Sequence, residues 1–137
     1  MPLLLDTGIL YALADRDDAW HERCVAYVKQ TRELLLVPVT VIPEAAYLIH
    51  DRLGAAAERR FVRAITEGEL AVESLRDADW PRIGELLDDY DRIGVVDASV
   101  VAMAERLDER KVATLDHRHF TVVRPRHVRA LELLPTP

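Results

Sequence analysis

Cysteine is almost missing from these 137 residues: Cys24 stands alone. No intrachain disulfide can form, and no cysteine zinc site can be assembled. That usage fits a reducing compartment. A basic excess is missing too. The chain carries 18 Lys and Arg against 24 Asp and Glu, a formal charge of -6, which is not the footprint of a generic nucleic-acid binder. A nucleic-acid partner would have to be drawn by local arginines or a bound cation, and an acidic surface also suits a basic protein partner. No apolar run is long enough to cross a bilayer, since the longest, Leu34 to Pro43, contains Thr40 and two prolines. No basic stretch precedes the short apolar run at the N-terminus, and Asp6 breaks it, so no secretory signal is expected. These absences set the expectation of a cytoplasmic protein with no membrane contact. Linkers, repeats and low-complexity segments are also lacking. Half the residues are hydrophobic, which argues against disorder and for a single domain, 1–137, with a full core.

Short apolar runs alternate with amphipathic stretches. Leu3-Leu4-Leu5, Leu34 to Val37, Leu70 to Val72, Lys111 to Leu115 and Phe120 to Val123 read as strands, and Leu131 to Leu134 as a last extended segment. Helices are expected over Gly8 to Ala14 and after Asp17 or Asp18, with Trp20, Cys24, Tyr27 and Val28 inward. Others should follow Pro43, which suits a first helical turn, and Gly54, with Phe61, Val62 and Ile65 inward. Asp77 can cap a further helix striped by Trp80, Ile83, Leu87 and Tyr90, and a last helix should run from Asp97 to about Glu109. Alternation of this kind predicts an α/β fold, a three-layer α/β/α sandwich with a central, mostly parallel sheet.

Four acids sit at the ends of apolar runs. Asp6 closes Leu3-Leu4-Leu5, Glu44 follows Val39 to Pro43, Asp97 follows Ile93-Gly94-Val95-Val96, and Asp116 closes Val112 to Leu115. Each acid alone has an ordinary explanation: Asp6 and Asp97 as helix N-caps, Glu44 as a first-turn acid, Asp116 as a turn. Together they share one placement, at the edge where open α/β sheets bind ligands. Carboxylates gathered there repel one another, and a divalent cation compensates them. Hard ions such as Mg²⁺ or Mn²⁺ take oxygen ligands and keep open positions, which suits hydrolysis of a phosphate-bearing substrate.

Leu5-Asp6-Thr7-Gly8-Ile9-Leu10, Pro43-Glu44-Ala45, Val96-Asp97-Ala98-Ser99 and Thr114-Leu115-Asp116 resemble, in order and spacing, the motifs of PIN-domain nucleases. Arg92 to Ala98 and Thr114 to Phe120 resemble the third and fourth motifs of the VapC-type toxins of bacterial toxin–antitoxin modules. The resemblance implies a Mg²⁺- or Mn²⁺-dependent endoribonuclease, a homodimer held inactive by a cognate antitoxin. It makes Asp6, Asp97 and Asp116 metal-facing carboxylates, with Glu44 completing the site. Thr7, Ser99 and Thr114 match polar positions beside the acids and could orient carboxylates or substrate. His117-Arg118-His119 is less standard.

Leu4-Leu5-Asp6-Thr7-Gly8 also resembles the signature of retroviral-type aspartic proteases, but that fold is all-β and this chain is rich in amphipathic helices. An aspartyl phosphatase is disfavoured because no second Asp lies two residues after Asp6. Arg118, Arg124 and Arg126, with Arg129 and nearby histidines, form one basic group, and Arg59, Arg60 and Arg63 another. Either is a solvated surface or, in the functional reading, a run of phosphate contacts along RNA. Tyr11, Leu13, Tyr47 and Leu48 are candidates for an apolar surface facing a dimer mate or an antitoxin helix. Two other readings stand beside the toxin: a nuclease of the same fold in RNA or DNA processing, and a metal- or RNA-binding module without turnover.

Overall fold

The structure, a computed structural model, describes residues 2–136. Its elements run β1 (Pro2–Leu5), α1 (Thr7–Ala14), α2 (His21–Gln30), β2 (Leu34–Pro38), α3 (Val41–Leu53), α4 (Ala55–Thr66), β3 (Ala71–Glu73), α5 (Asp79–Asp89), α6 (Val95–Arg106), β4 (Lys111–Ala113), α7 (His117–Val122) and β5 (Glu132–Leu134). The strands form one five-stranded sheet in the order β3-β2-β1-β4-β5. All four pairings are parallel, with Leu3 opposite Leu35 and Leu5 opposite Ala113. Leu3, Leu4 and Leu5 are completely buried, as expected of a strand covered on both faces.

The order of the strands locates the site. From β1 the chain moves outward through β2 to β3, then returns to place β4 and β5 on the other side of β1. Right-handed crossovers therefore put α1 to α4 on one face and α5 and α6 on the other. The contacts agree: α1 packs on α2 and α3, α3 on α4, and α5 on α6. Three layers and a parallel sheet are what the alternating pattern predicts. The strand order reverses between β1 and β4, and the crevice beyond their carboxyl ends is where such folds bind ligands. Asp6 N–H donates to Ala113 O across that point, at 2.9 Å.

Several expectations are corrected. Phe120 to Val123 is not a strand; residues 117–122 form α7. The β-branched Thr121, Val122 and Val123 favour extended chain, but Asp116 accepts from His119 N–H at 3.1 Å and caps a helical turn, and Phe120 is buried as its anchor. Asp97 does not cap its helix: Gly94 is the N-cap of α6, and Asp97 lies inside its first turn. Trp80 faces solvent at 52% exposure. The inner face of α5 is Asp79, Ile83 and Leu86, and Asp79 is turned inward by Arg106, which leaves its neighbour Trp80 on the outer side. Val62 is likewise exposed, because Ala57 and Phe61, one turn apart, take the inner face of α4. Tyr11 is buried, not a surface group; its hydroxyl donates to Asp15 at 2.5 Å. Among the described residues no helix is long and apolar enough to cross a membrane.

Candidate functional site

The acids reach the crevice by two routes. Asp6 directly follows β1 and Asp116 lies three residues after β4, so the sheet delivers these two. Glu44 and Asp97 come from the first turns of α3 and α6. A pair of hydroxyls ties those two helix starts together. Ser99 Oγ donates to Val96 O at 2.6 Å, so its single proton is engaged, and Thr40 Oγ1 donates to Ser99 Oγ at 2.5 Å. Thr40 thereby fixes the entry of α3 against the entry of α6. Thr114 performs the same task between the strands: its hydroxyl donates to Asp6 Oδ2 at 2.9 Å and accepts from Asp116 N–H at 2.9 Å. Thr7 is buried, and among the described residues its hydroxyl has no hydrogen-bond partner.

Burial grades the four acids. Asp6 is 5% exposed, Asp97 and Asp116 are half-buried, and Glu44 is exposed at the rim. Burial lifts the Asp6 carboxyl above its ordinary value. Hydrogen bonds from the Thr7 backbone and the Thr114 hydroxyl oppose this rise, and the charges of Glu44 and Asp116 add to it. Asp97 is pushed up to about 6, first by burial and then by the charges of Asp6 and Asp116. His119 opposes that shift, and Glu44 adds slightly to it. Among the described residues no lysine or arginine forms an ion pair with any of the four. The basic side chain that meets them is His119, whose Nδ1 lies 2.8 Å from Asp116 Oδ2 and 3.4 Å from Asp97 Oδ2.

This arrangement fits a divalent cation. One ligand atom each from Asp97, Asp116 and His119 lies within 4.8 Å of the others. Asp6 joins them through Thr114 and by its charge, whereas Glu44 stands further out. Crowded carboxylates without arginine partners, a buried unpartnered hydroxyl on Thr7 and a buried ring nitrogen without a hydrogen bond on His119 are the marks of a site built for a positive charge.

The arginine expectations divide. Arg118 is exposed on α7, next to His119. Arg124 is exposed, with its backbone N–H on the Tyr90 hydroxyl and its guanidinium on Thr121 O. Arg126 is drawn away, its guanidinium paired with Glu85 and its backbone N–H on Glu105. Sequence reasoning missed Thr40 and gave His119 no definite role. Thr40 meets its partner across 59 residues, so no local signal marks it. His119 becomes visible once residues 117–122 are read as a helix, because it then lies one turn from Asp116.

Comparison with known proteins agrees with this geometry. The PIN domain family model matches residues 3–124. Ribonuclease VapC26 of Mycobacterium tuberculosis is 30% identical over 125 residues, 90% of this chain and 93% of that one. Among solved structures, M. tuberculosis VapC20, described as a Sarcin-Ricin loop cleaving toxin, superposes with a TM-score of 0.78 at 19% identity, covering 85% of this chain and 91% of that one. VapBC2 from Rickettsia felis, bound to a DNA fragment from its promoter, gives 0.71 at 16% identity, covering 98% and 100%.

Proposed function

Since this chain belongs to the PIN-domain family, in its VapC-type group, we propose that it is a divalent-metal-dependent endoribonuclease acting as the toxin of a toxin–antitoxin pair. The observation that carries the reading is the group of carboxylates, buried at Asp6 and half-buried at Asp97 and Asp116, that has no arginine or lysine ion-pair partner among the described residues and lies at the switch point of the sheet. The ribonuclease name of its 30% identical relative supports RNA as the substrate.

Asp6, Asp97 and Asp116 would hold Mg²⁺ or Mn²⁺, with Glu44 at the rim completing the set. When bound, such an ion polarises a phosphoryl oxygen and makes an attacking water more acidic. The protein's own groups do the rest. Thr114 holds Asp6 and the Asp116 backbone in fixed relation, so the carboxylates do not have to reorganise as substrate arrives. Thr40 and Ser99 hold the α3 and α6 entries at a fixed spacing, and thus Glu44 relative to Asp97. Glu44, the most exposed acid, would complete the site by direct ligation or by holding a metal-bound water. Attack by water on phosphorus would break the P–O3′ bond, the water's proton passing to solvent and the leaving O3′ taking one up, to give a 5′-phosphate and a 3′-hydroxyl. Arg118, next to His119, and Arg124 are exposed and would contact RNA phosphates. On this acidic protein a cognate antitoxin with basic segments, and a second copy of the chain, are the proposed partners.

The test is cleavage of total cellular RNA by purified protein with Mg²⁺, Mn²⁺ or EDTA. Discrete fragments should form with metal, and none with EDTA or with Asp6→Asn. Equal cleavage by folded Asp6→Asn and Asp97→Asn proteins would refute the mechanism.

A further inference from the structure

We propose that His119 is itself a ligand of the divalent ion, and that its nitrogen gives this centre a preference for Mn²⁺ over Mg²⁺. The inference rests on the metal-dependent reading above and deepens it. Its basis is the placement of one atom. His119 Nδ1 lies 2.8 Å from Asp116 Oδ2 and 3.4 Å from Asp97 Oδ2. Neighbouring ligands at right angles around an ion with bonds of about 2.1 Å stand about 3 Å apart, and the two distances bracket that value. The same nitrogen is buried and makes no hydrogen bond. A simple ion pair would aim the ring N–H at one oxygen as a short charge-assisted bond. Here the nitrogen faces both oxygens without such alignment, as a lone pair directed at a shared centre would.

The local fold holds this arrangement. Asp116 divides its oxygens: Oδ1 accepts from His119 N–H at 3.1 Å, capping α7, while Oδ2 faces the ring. The cap therefore fixes carboxylate and imidazole together within one helical turn. His117 does not compete, since its Nε2 donates to Thr114 O at 3.1 Å. Ligation through Nδ1 places the ring proton on Nε2, at the partly exposed side of the ring. Mg²⁺ takes oxygen almost exclusively, whereas first-row transition ions accept imidazole. A nitrogen in the donor set thus separates Mn²⁺ from Mg²⁺.

The experiment is a Mn²⁺ titration of the full chain followed by electron paramagnetic resonance, with Mg²⁺ affinity read by displacement. The proteins are wild type, His119→Ala, the bulk-retaining His119→Gln, and Asp97→Asn. In the wild type, bound Mn²⁺ should show nitrogen hyperfine coupling in its spin-echo spectrum. Both His119 variants should lose that coupling and at least about tenfold in Mn²⁺ affinity, while Mg²⁺ affinity falls much less. Bound Mn²⁺ without nitrogen coupling, or equal losses for the two ions, would overturn the inference and leave the metal centre standing. No Mn²⁺ binding by wild type, or unchanged binding by Asp97→Asn, would overturn the centre itself and this inference with it.

Discussion

Asp79 and Asp97 are both carboxylates removed from water, yet they titrate in opposite directions. Burial alone would lift both. At Asp79 the Arg106 guanidinium donates to both oxygens, at 2.9 and 3.2 Å, and with the Arg76 backbone N–H holds the carboxyl below its ordinary value. Glu105, next to Arg106 on α6, is treated the same way. Burial is outweighed by Arg82, which donates to both of its oxygens at 2.8 and 2.9 Å, and by the Arg126 backbone N–H. At Asp97 no arginine answers the burial, and neighbouring acids add to it. One cluster is complete within the protein and joins α5 to α6; the other, on the proposed metal-dependent reading, would be completed by a cation from outside. A paired acid is thus a structural element, and an unpaired one is a candidate for a site.

The contrast can be broken from either side. Largest in stability should be Arg106→Met, which leaves Asp79 charged, buried and unpaired. Urea denaturation should show a loss of about 3–5 kcal/mol, with little change in the metal response. Asp97→Asn should do the reverse: RNA cleavage falls by at least about 100-fold, while the ion-free protein near neutral pH becomes more stable by about 1–2 kcal/mol. Smaller effects belong to Thr114→Val, which removes the donor on Asp6 and should cost about 1–2 kcal/mol and about tenfold in cleavage.

A pH series sharpens the same comparison. Asp97 holds its proton more tightly folded than unfolded, with a value of about 6 against an ordinary 3.8. Its ionisation therefore removes stability as pH rises from about 4 to about 6, and leaves it level above. Asp79 and Glu105 have lowered values, against ordinary ones of 3.8 and 4.5. Their contribution is present above those values and is lost as pH falls below them. Ion-free thermal unfolding of wild type and Asp97→Asn should accordingly coincide near the acid end of the first window and diverge through it. Parallel curves across the range would contradict the assignment.

Much of this was legible in the order of residues. Leu3-Leu4-Leu5, Leu34 to Val37 and Lys111 to Leu115 were readable as buried strands because parallel strands covered on both faces are continuously apolar. Asp6 and Asp116 follow strands as their apolar runs predict, whereas Glu44 and Asp97 come from helix starts. What stayed hidden depended on partners distant in sequence or on competition between signals. Trp80 reads as core by spacing, but Arg106, 27 residues from Asp79, decides which face of α5 turns inward. Residues 120–123 read as a strand from their β-branched side chains, and the Asp116 cap with the buried Phe120 prevails. Thr40 carries no motif at all, and only its meeting with Ser99, where α3 reaches α6, gives it a role. Arg126 belongs by sequence to a basic group beside the site, yet Glu85 claims its guanidinium.

The most direct test is thermal unfolding of wild type and Asp97→Asn near neutral pH, each with and without Mn²⁺. The account predicts that wild type starts lower and rises by several degrees on adding the ion, while Asp97→Asn starts higher and does not respond. An Asp97→Asn protein that starts lower than wild type and gains as much from Mn²⁺ would show that the unpaired acids are not a cation site.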